Sequence, residues 1–149
     1  MIKEGQPRLV EYNVRFGDPE CQVLMMRLGA QAFDLIEATA RGRLAGAQVN
    51  WADDHALSIV MATKGYPGNY AKGSVINGLD HLPETSKSMC FHAGTTQTET
   101  AITATGGRVL NITARAESLR AAREAAYSAA DQVDWPEGFF RTDIGWRAL

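Results

Sequence analysis

The chain opens with a segment in which apolar and polar residues alternate. Because successive side chains of a β-strand point to opposite faces, the alternation over residues 8–16 predicts a two-faced strand. Its apolar face carries Tyr12, Val14 and Phe16, and its polar face carries Glu11, Asn13 and Arg15. A turn at Gly5-Gln6-Pro7 connects this strand to a shorter one over residues 1–4, so the N-terminus is predicted to be a hairpin.

Two helical patterns follow the predicted hairpin. Residues 19–28 and 31–41 both carry apolar residues at helical spacing. Asp18 is well placed as the N-cap of the first helix, with Pro19 at its first helical position; a contact with substrate is the alternative role for this carboxylate. Gly42 suits the end of the second helix, where Arg41 complements the helix dipole.

The pattern changes from helical to extended within residues 46–54, and a domain boundary is expected there. Short strands are predicted over 56–63, 73–76, 88–93, 99–105 and 108–113, with a tight Gly106-Gly107 hairpin between the last two. Ser118 is expected to cap a long helix with Ala122, Ala126 and Ala129 on its buried face. The fold class is therefore α+β, with a small antiparallel sheet or barrel and one long helix.

Charge and composition exclude several classes of protein. The 149 residues carry a formal net charge of −2 with mixed signs, which does not favour nucleic-acid or anionic-membrane binding. Apolar runs stay below the roughly 18 residues of a membrane span, and the charged start lacks a signal-peptide core, so a cytoplasmic protein is expected. Cys21 and Cys90 have no metal-type spacing and are expected to be structural thiols.

Five separated motifs give the chain a specific resemblance. They are EYNVRFGDPE at 11–20, KGYPGNYAKG at 64–73, FHAGT at 91–95, GGRVLNITA at 106–114 and FRTDIGWRAL at 140–149. In this order the motifs resemble the C-terminal part of the phosphoribosylamine–glycine ligase (glycinamide ribonucleotide synthetase) family of the ATP-grasp superfamily. The resemblance implies that residues 1–50 are the end of an ATP-grasp catalytic domain and residues 51–149 a strand-rich C-terminal domain. It also implies an N-terminal remainder of the enzyme.

The resemblance implies a reaction and its residues. ATP would phosphorylate glycine, and 5-phosphoribosylamine would displace phosphate from the glycyl phosphate, a step of de novo purine biosynthesis. Glu11 and Asn13 would bind Mg²⁺ or Mn²⁺, and Arg15 would be catalytic, pairing with a phosphate or with the glycine carboxylate. The substrate-binding loop would consist of Lys64, Gly65, Tyr66 and Pro67, although an ordinary turn explains these four residues equally well.

Other interpretations remain open. The polar face of residues 8–16 is also what a solvated strand shows. A non-catalytic carrier or interaction domain would need a modifiable lysine at a hairpin tip, and Lys64 lacks the neighbours typical of one. Another ATP-grasp amine ligase or carboxylase is the nearer alternative. If the chain is a fragment, we expect it to be inactive alone, because most of the nucleotide site would lie outside it.

Overall fold

The computed structural model describes residues 1–85 and 87–149, and in these residues it forms three α-helices and nine strands. The helices are α1 Glu20–Leu28, α2 Gln31–Ala40 and α3 Leu119–Ala130. The strands are β1 Ile2–Lys3, β2 Gln6–Pro7, β3 His55–Thr63, β4 Val75–Ile76, β5 Ser88–His92, β6 Thr95–Gln97, β7 Ile102–Ala104, β8 Arg108–Ala116 and β9 Gly138–Phe139. All strand pairs are antiparallel, so the predicted α+β class is confirmed. Within the described ranges, no helix combines the length and hydrophobicity needed to cross a bilayer.

The central sheet, in the order β5-β8-β3-β9, contributes half of the buried residues of the core. One face of this sheet packs against α3, whose buried side chains are small. These buried helix residues are Ala122, Ala126, Ala129 and Ala130. They lie in one apolar cluster with Ile59, Leu110 and Ile112, which are almost fully buried. Ser118 caps α3 as predicted, because its hydroxyl accepts a hydrogen bond from the backbone N–H of Ala121 at 3.2 Å.

The other face of the central sheet is polar and lies under α1. In the β3–β8 register Ser58 pairs with Thr113, and the two hydroxyls are hydrogen-bonded at 2.8 Å. Asn111 and Arg115 lie two residues to either side of Thr113 and therefore share its face. Arg115 pairs with Asp54 at 3.0 Å and donates to the carbonyl of Met26 near the end of α1. Polar contacts therefore help to hold helix α1 on this face of the sheet.

The N-terminal strand prediction is wrong for residues 8–16. Strands β1 and β2, of two residues each, form a hairpin, and residues 8–16 are irregular. The predicted apolar face is not formed, since Tyr12 is 82% and Val14 is 97% exposed. A strand needs a neighbour for its backbone hydrogen bonds, and no described residue supplies one to this segment beyond the Arg8–Met1 contacts that close the hairpin.

The Gly106-Gly107 hairpin prediction is also wrong. Strand β7 pairs with β4 and β6 in a second sheet of order β4-β7-β6, whereas β8 pairs with β3 and β5 in the central sheet. The two glycines therefore lie where the chain crosses from one sheet to the other. The short strand β6, which the sequence patterns did not predict, supplies the partner that β7 needs.

Candidate functional site

The turn before α1 meets the start of β8 through the Asp18 carboxylate. Its Oδ2 pairs with Arg108 Nε at 3.0 Å, and its Oδ1 accepts a hydrogen bond from Asn111 Nδ2 at 3.1 Å. The predicted N-cap role of Asp18 is wrong, because Pro19 holds the cap position and no side chain there caps the helix. The carboxylate is instead committed to two partners on β8, which lies far away in the sequence.

Two glycines bring the FHAGT and GGRVLNITA motifs into backbone contact. A Cβ built on Gly94 would lie 2.6 Å from the Cα of Gly106 and 2.7 Å from the carbonyl oxygen of Arg108. The carbonyl of Gly94 accepts hydrogen bonds from the backbone N–H groups of Thr105 and Gly106, at 2.7 and 3.1 Å. This backbone approach requires glycine at both positions, and it places Arg108 beside the β5–β6 turn.

The predicted substrate loop lies next to the same crossover. Thr63, at the end of β3, donates its backbone N–H to the Gly107 carbonyl at 2.8 Å. The Tyr66 ring covers Gly107 so closely that a Cβ on this glycine would lie 2.2 Å from Tyr66 Cδ2. Gly65 adopts a φ of +98°, and a Cβ there would lie 2.2 Å from the Asn69 carbonyl. The loop is therefore a tight turn built against the GGRVLNITA motif.

Lys64 and Pro67 occupy the two sides of this loop. The Lys64 ammonium donates to the Pro136 carbonyl at 2.6 Å, and its backbone N–H donates to the Glu137 carbonyl at 2.8 Å. Pro67 lies inside the turn that the Gly68 N–H closes on the Gly65 carbonyl at 2.8 Å. Lys64 thus connects the loop to the segment after α3.

The predicted metal-binding and catalytic residues lie in the exposed segment before α1. Glu11, Asn13 and Arg15 are all exposed, and Arg15 donates to the carbonyl of its neighbour Phe16 at 3.0 Å. Across residues 1–85 and 87–149, Glu11 and Asn13 make no side-chain hydrogen bond, and no group of three or more His, Cys, Asp or Glu side chains could hold a metal. The two oxygen donors are therefore available to a ligand but form an incomplete set.

The sequence patterns missed Arg108 and Asn111, and for Asp18 they predicted a helix cap or a substrate contact but not these two partners. All three lie in the motifs of the resemblance. The available signal was an acidic residue, Asp18, in the motif before a predicted helix and a basic residue, Arg108, at the start of a predicted strand. Asn111 is fully buried. Its Oδ1 and the Oε1 of Gln22 have no hydrogen-bond partner in the described structure. Gln22 donates its Nε2 to Asp18 Oδ1 at 3.3 Å, which completes a polar cluster around this carboxylate.

Cys90 supports the structural interpretation of the cysteines. It lies on β5 within the apolar core, where burial and then the charge of Glu84 raise the pKa of the thiol to about 12. The thiolate is the reactive form of cysteine. Cys90 therefore stays protonated near neutral pH and has no place in the candidate site.

The fold and the arrangement of motifs define the class of protein. The structure superposes on the crystal structure of phosphoribosylamine–glycine ligase from Thermotoga maritima with a TM-score of 0.78 and 33% sequence identity. The match covers 96% of this chain and 34% of that chain. By fold and sequence together, the chain is thus similar to about a third of a ligase of known structure.

The particular family follows from the sequence comparisons. The family described as phosphoribosylglycinamide synthetase, C domain, matches residues 56–147, and the chain belongs to this family. Curated relatives named phosphoribosylamine–glycine ligase are 53% identical in Brucella melitensis and, for the chloroplastic protein, 52% identical in Arabidopsis thaliana. These matches cover 100% and 99% of this chain, but only 35% and 28% of the relatives. The chain spans about a third of their length, and the predicted resemblance is confirmed.

Proposed function

We propose that this chain is the C-terminal part of an ATP-dependent ligase that joins glycine to 5-phosphoribosylamine in purine biosynthesis. The observation that carries the proposal is the convergence of four motifs. Asp18 of EYNVRFGDPE contacts Arg108 of GGRVLNITA, and this second motif in turn contacts Gly94 of FHAGT and Tyr66 of KGYPGNYAKG. Motifs that lie far apart in the sequence thus meet around one crossover, as the parts of a shared binding site would.

Glu11 and Asn13 are the residues that would hold Mg²⁺ or Mn²⁺. Both offer hard oxygen donors, and neither is committed to a hydrogen bond in the part of the chain that the structure describes. Two donors suit an ion that keeps water and takes further ligands from substrate phosphates, so the donor set fits the metal. When bound, the ion would neutralise charge on the transferred phosphoryl group.

Arg15 and the loop at 64–67 would hold the substrates. The Arg15 guanidinium is exposed two residues beyond Asn13, where its fork would pair with a phosphate or with the glycine carboxylate of the glycyl phosphate. Gly65, Tyr66 and Pro67 would supply a close-packed wall for 5-phosphoribosylamine. Lys64 would place positive charge beside this wall while its ammonium holds the Pro136 carbonyl.

The proposal divides the chain into two functional parts. Residues 1–50 would end the ATP-grasp catalytic domain and residues 51–149 would form the C-terminal domain, with the N-terminal remainder of the ligase supplying the adenine site. The exposed apolar residues of the first part fit a surface that this remainder covers, among them Tyr12, Val14 and Phe33. We expect such an enzyme in the cytoplasm.

A graft tests the proposed function. The 149 residues would replace the C-terminal third of the Brucella melitensis relative, and production of glycinamide ribonucleotide and phosphate would be measured with ATP, glycine and 5-phosphoribosylamine. An active graft supports the proposal. A folded graft with no ligase activity refutes it. Mass spectrometry of the chain purified from cells separates the carrier alternative, since a carrier would show an adduct on Lys64.

A further inference from the structure

The Asp18 carboxylate connects the N-terminal part of the chain to the central sheet. It accepts hydrogen bonds from Asn111 Nδ2 at 3.1 Å and from Gln22 Nε2 at 3.3 Å, and it forms an ion pair with Arg108 Nε at 3.0 Å. Three partners from α1 and β8 therefore converge on one side chain. A carboxylate that only marked the start of a helix would bond the backbone of its own helix.

The buried partner makes this arrangement costly for stability. Asn111 has 0% exposure and leaves its Oδ1 without a partner in the described structure. A buried amide with one unsatisfied oxygen is destabilising relative to an apolar side chain of similar size. The hydrogen bond that Asn111 donates to Asp18 is what this position gains in return, which points to a need for a fixed carboxylate.

We propose that Asp18 is a positioning residue of the ligase, an inference that rests on the proposed function. Its carboxylate fixes the turn that follows the segment with Glu11, Asn13 and Arg15 to the start of β8, whose preceding turn packs beneath Tyr66. Asp18 thereby couples the metal-binding segment to the substrate loop.

The geometry explains why this coupling matters for the reaction. Arg15 is separated from Asp18 only by Phe16 and Gly17, and Gly17 is buried. The carbonyl of Gly17 also accepts the Cys21 N–H at 2.8 Å, so the turn is held on both sides. A shift of about 1 Å in a positioning group can cost roughly 100-fold in rate. Loss of the Asp18 contacts should displace Arg15 by a shift of this order.

The variant Asp18→Asn in the graft tests the proposal. The change is isosteric and removes the charge, and kcat should fall roughly 10- to 100-fold, while Asp18→Glu, which restores the carboxylate, should recover part of the loss. Asp54→Asn is the matched control, because Asp54 pairs with Arg115 of the same strand β8 at 3.0 Å, at its opposite end. The control should lower the melting temperature as much as Asp18→Asn does and leave kcat near that of the wild type.

Two further measurements keep the test decisive. Should Asp18→Asn fail to fold, Arg108→Lys removes the Nε donor while keeping the charge, and it should give the same loss in kcat. Hydrogen exchange of the 149-residue chain should show faster exchange at the Cys21 amide, which is bonded to the Gly17 carbonyl, in Asp18→Asn, and this reports the contact without any ligase activity. Equal kcat values for Asp18→Asn and Asp54→Asn would overturn the positioning role. An inactive wild-type graft together with the exchange difference would refute the proposed function and the positioning role of Asp18, but not the Asp18 contacts themselves.

Discussion

Replacing Gly94 with alanine should destabilise the chain more than replacing Gly107, although both glycines have close neighbours. A Cβ added at Gly94 would lie 2.6, 2.7 and 2.8 Å from Gly106 Cα, Arg108 O and Gly106 N, all of them backbone atoms. At Gly107 the nearest atoms belong to the Tyr66 ring, at 2.2 and 2.7 Å. A ring can rotate away, whereas two crossing backbones move only if both sheets shift.

The size of the two effects follows from this difference. Overpacking a close contact costs about 1–3 kcal/mol. We expect Gly94→Ala at or above the upper limit, about 3 kcal/mol, and Gly107→Ala near the lower limit, about 1 kcal/mol. For a chain of this size 1 kcal/mol lowers the melting temperature by about 2–4 °C, so Gly94→Ala should lower it by roughly 10 °C.

Urea unfolding followed by tryptophan fluorescence measures both variants. Gly29→Ala is the control for backbone strain, since Gly29 has a φ of +59° and no atom within 4 Å of the position that a Cβ would occupy. Removing the ring with Tyr66→Ala should reduce the destabilisation caused by Gly107→Ala but leave that caused by Gly94→Ala unchanged. A Gly94→Ala variant within about 0.5 kcal/mol of the wild type, the range of an ordinary surface substitution, would show that the two motifs are not in backbone contact.

Four other predictions concern activity, chemistry and stability. The isolated chain should neither hydrolyse ATP nor form glycinamide ribonucleotide, because two metal ligands are too few without the rest of the nucleotide site; turnover by the chain alone in a coupled phosphate assay would contradict this. In the graft, Glu11→Ala should lower kcat at least roughly 10-fold with an unchanged melting temperature. The exposed control Glu99→Ala should change neither quantity. Normal turnover of the Glu11→Ala graft would show that Glu11 is only a solvated residue. Cys90 should resist iodoacetamide while Cys21 reacts, as read by mass spectrometry. Because the pKa of Cys90 rises from 9.0 to about 12 on folding, the contribution of this thiol to stability is complete below pH 9 and is lost as pH rises toward 12. Cys90→Ala should reduce this loss of stability at alkaline pH. An unchanged loss in Cys90→Ala would contradict the raised pKa of Cys90.

The elements that were predicted correctly carry the residues that define them within their own segment of the sequence. Helix α3 has its cap at Ser118 and its buried alanines at helical spacing, and β3 is a compact apolar run bounded by a glycine loop. Such signals are local, so the pattern alone is sufficient. The same holds for Gly42, whose φ of +65° follows directly from its place after α2.

The failures occurred where the partner lies far away in sequence. Residues 8–16 alternate like a strand, but no pattern can show whether a neighbouring strand is present. Gly106-Gly107 has hairpin chemistry, yet β7 finds its partners in β4 and β6. Asp18 satisfies every local rule for an N-cap and instead bonds Arg108 and Asn111. At the site, the motifs identified the right stretches of chain but not which side chains meet.

The two faces of the central sheet make different contributions: the face under α3 provides apolar burial, and the face under α1 fixes the orientation of the turn before that helix. Apolar burial under α3 is non-directional, and it tolerates small rotations of the helix. Hydrogen bonds weaken steeply as their angle falls below about 120°, so the hydrogen bonds of Asp18 penalise any rotation of the turn before α1. Salt screens ion pairs near the surface while leaving apolar packing intact. Ionic strength should therefore change the angle at which α1 presents the preceding segment long before it unfolds the sheet.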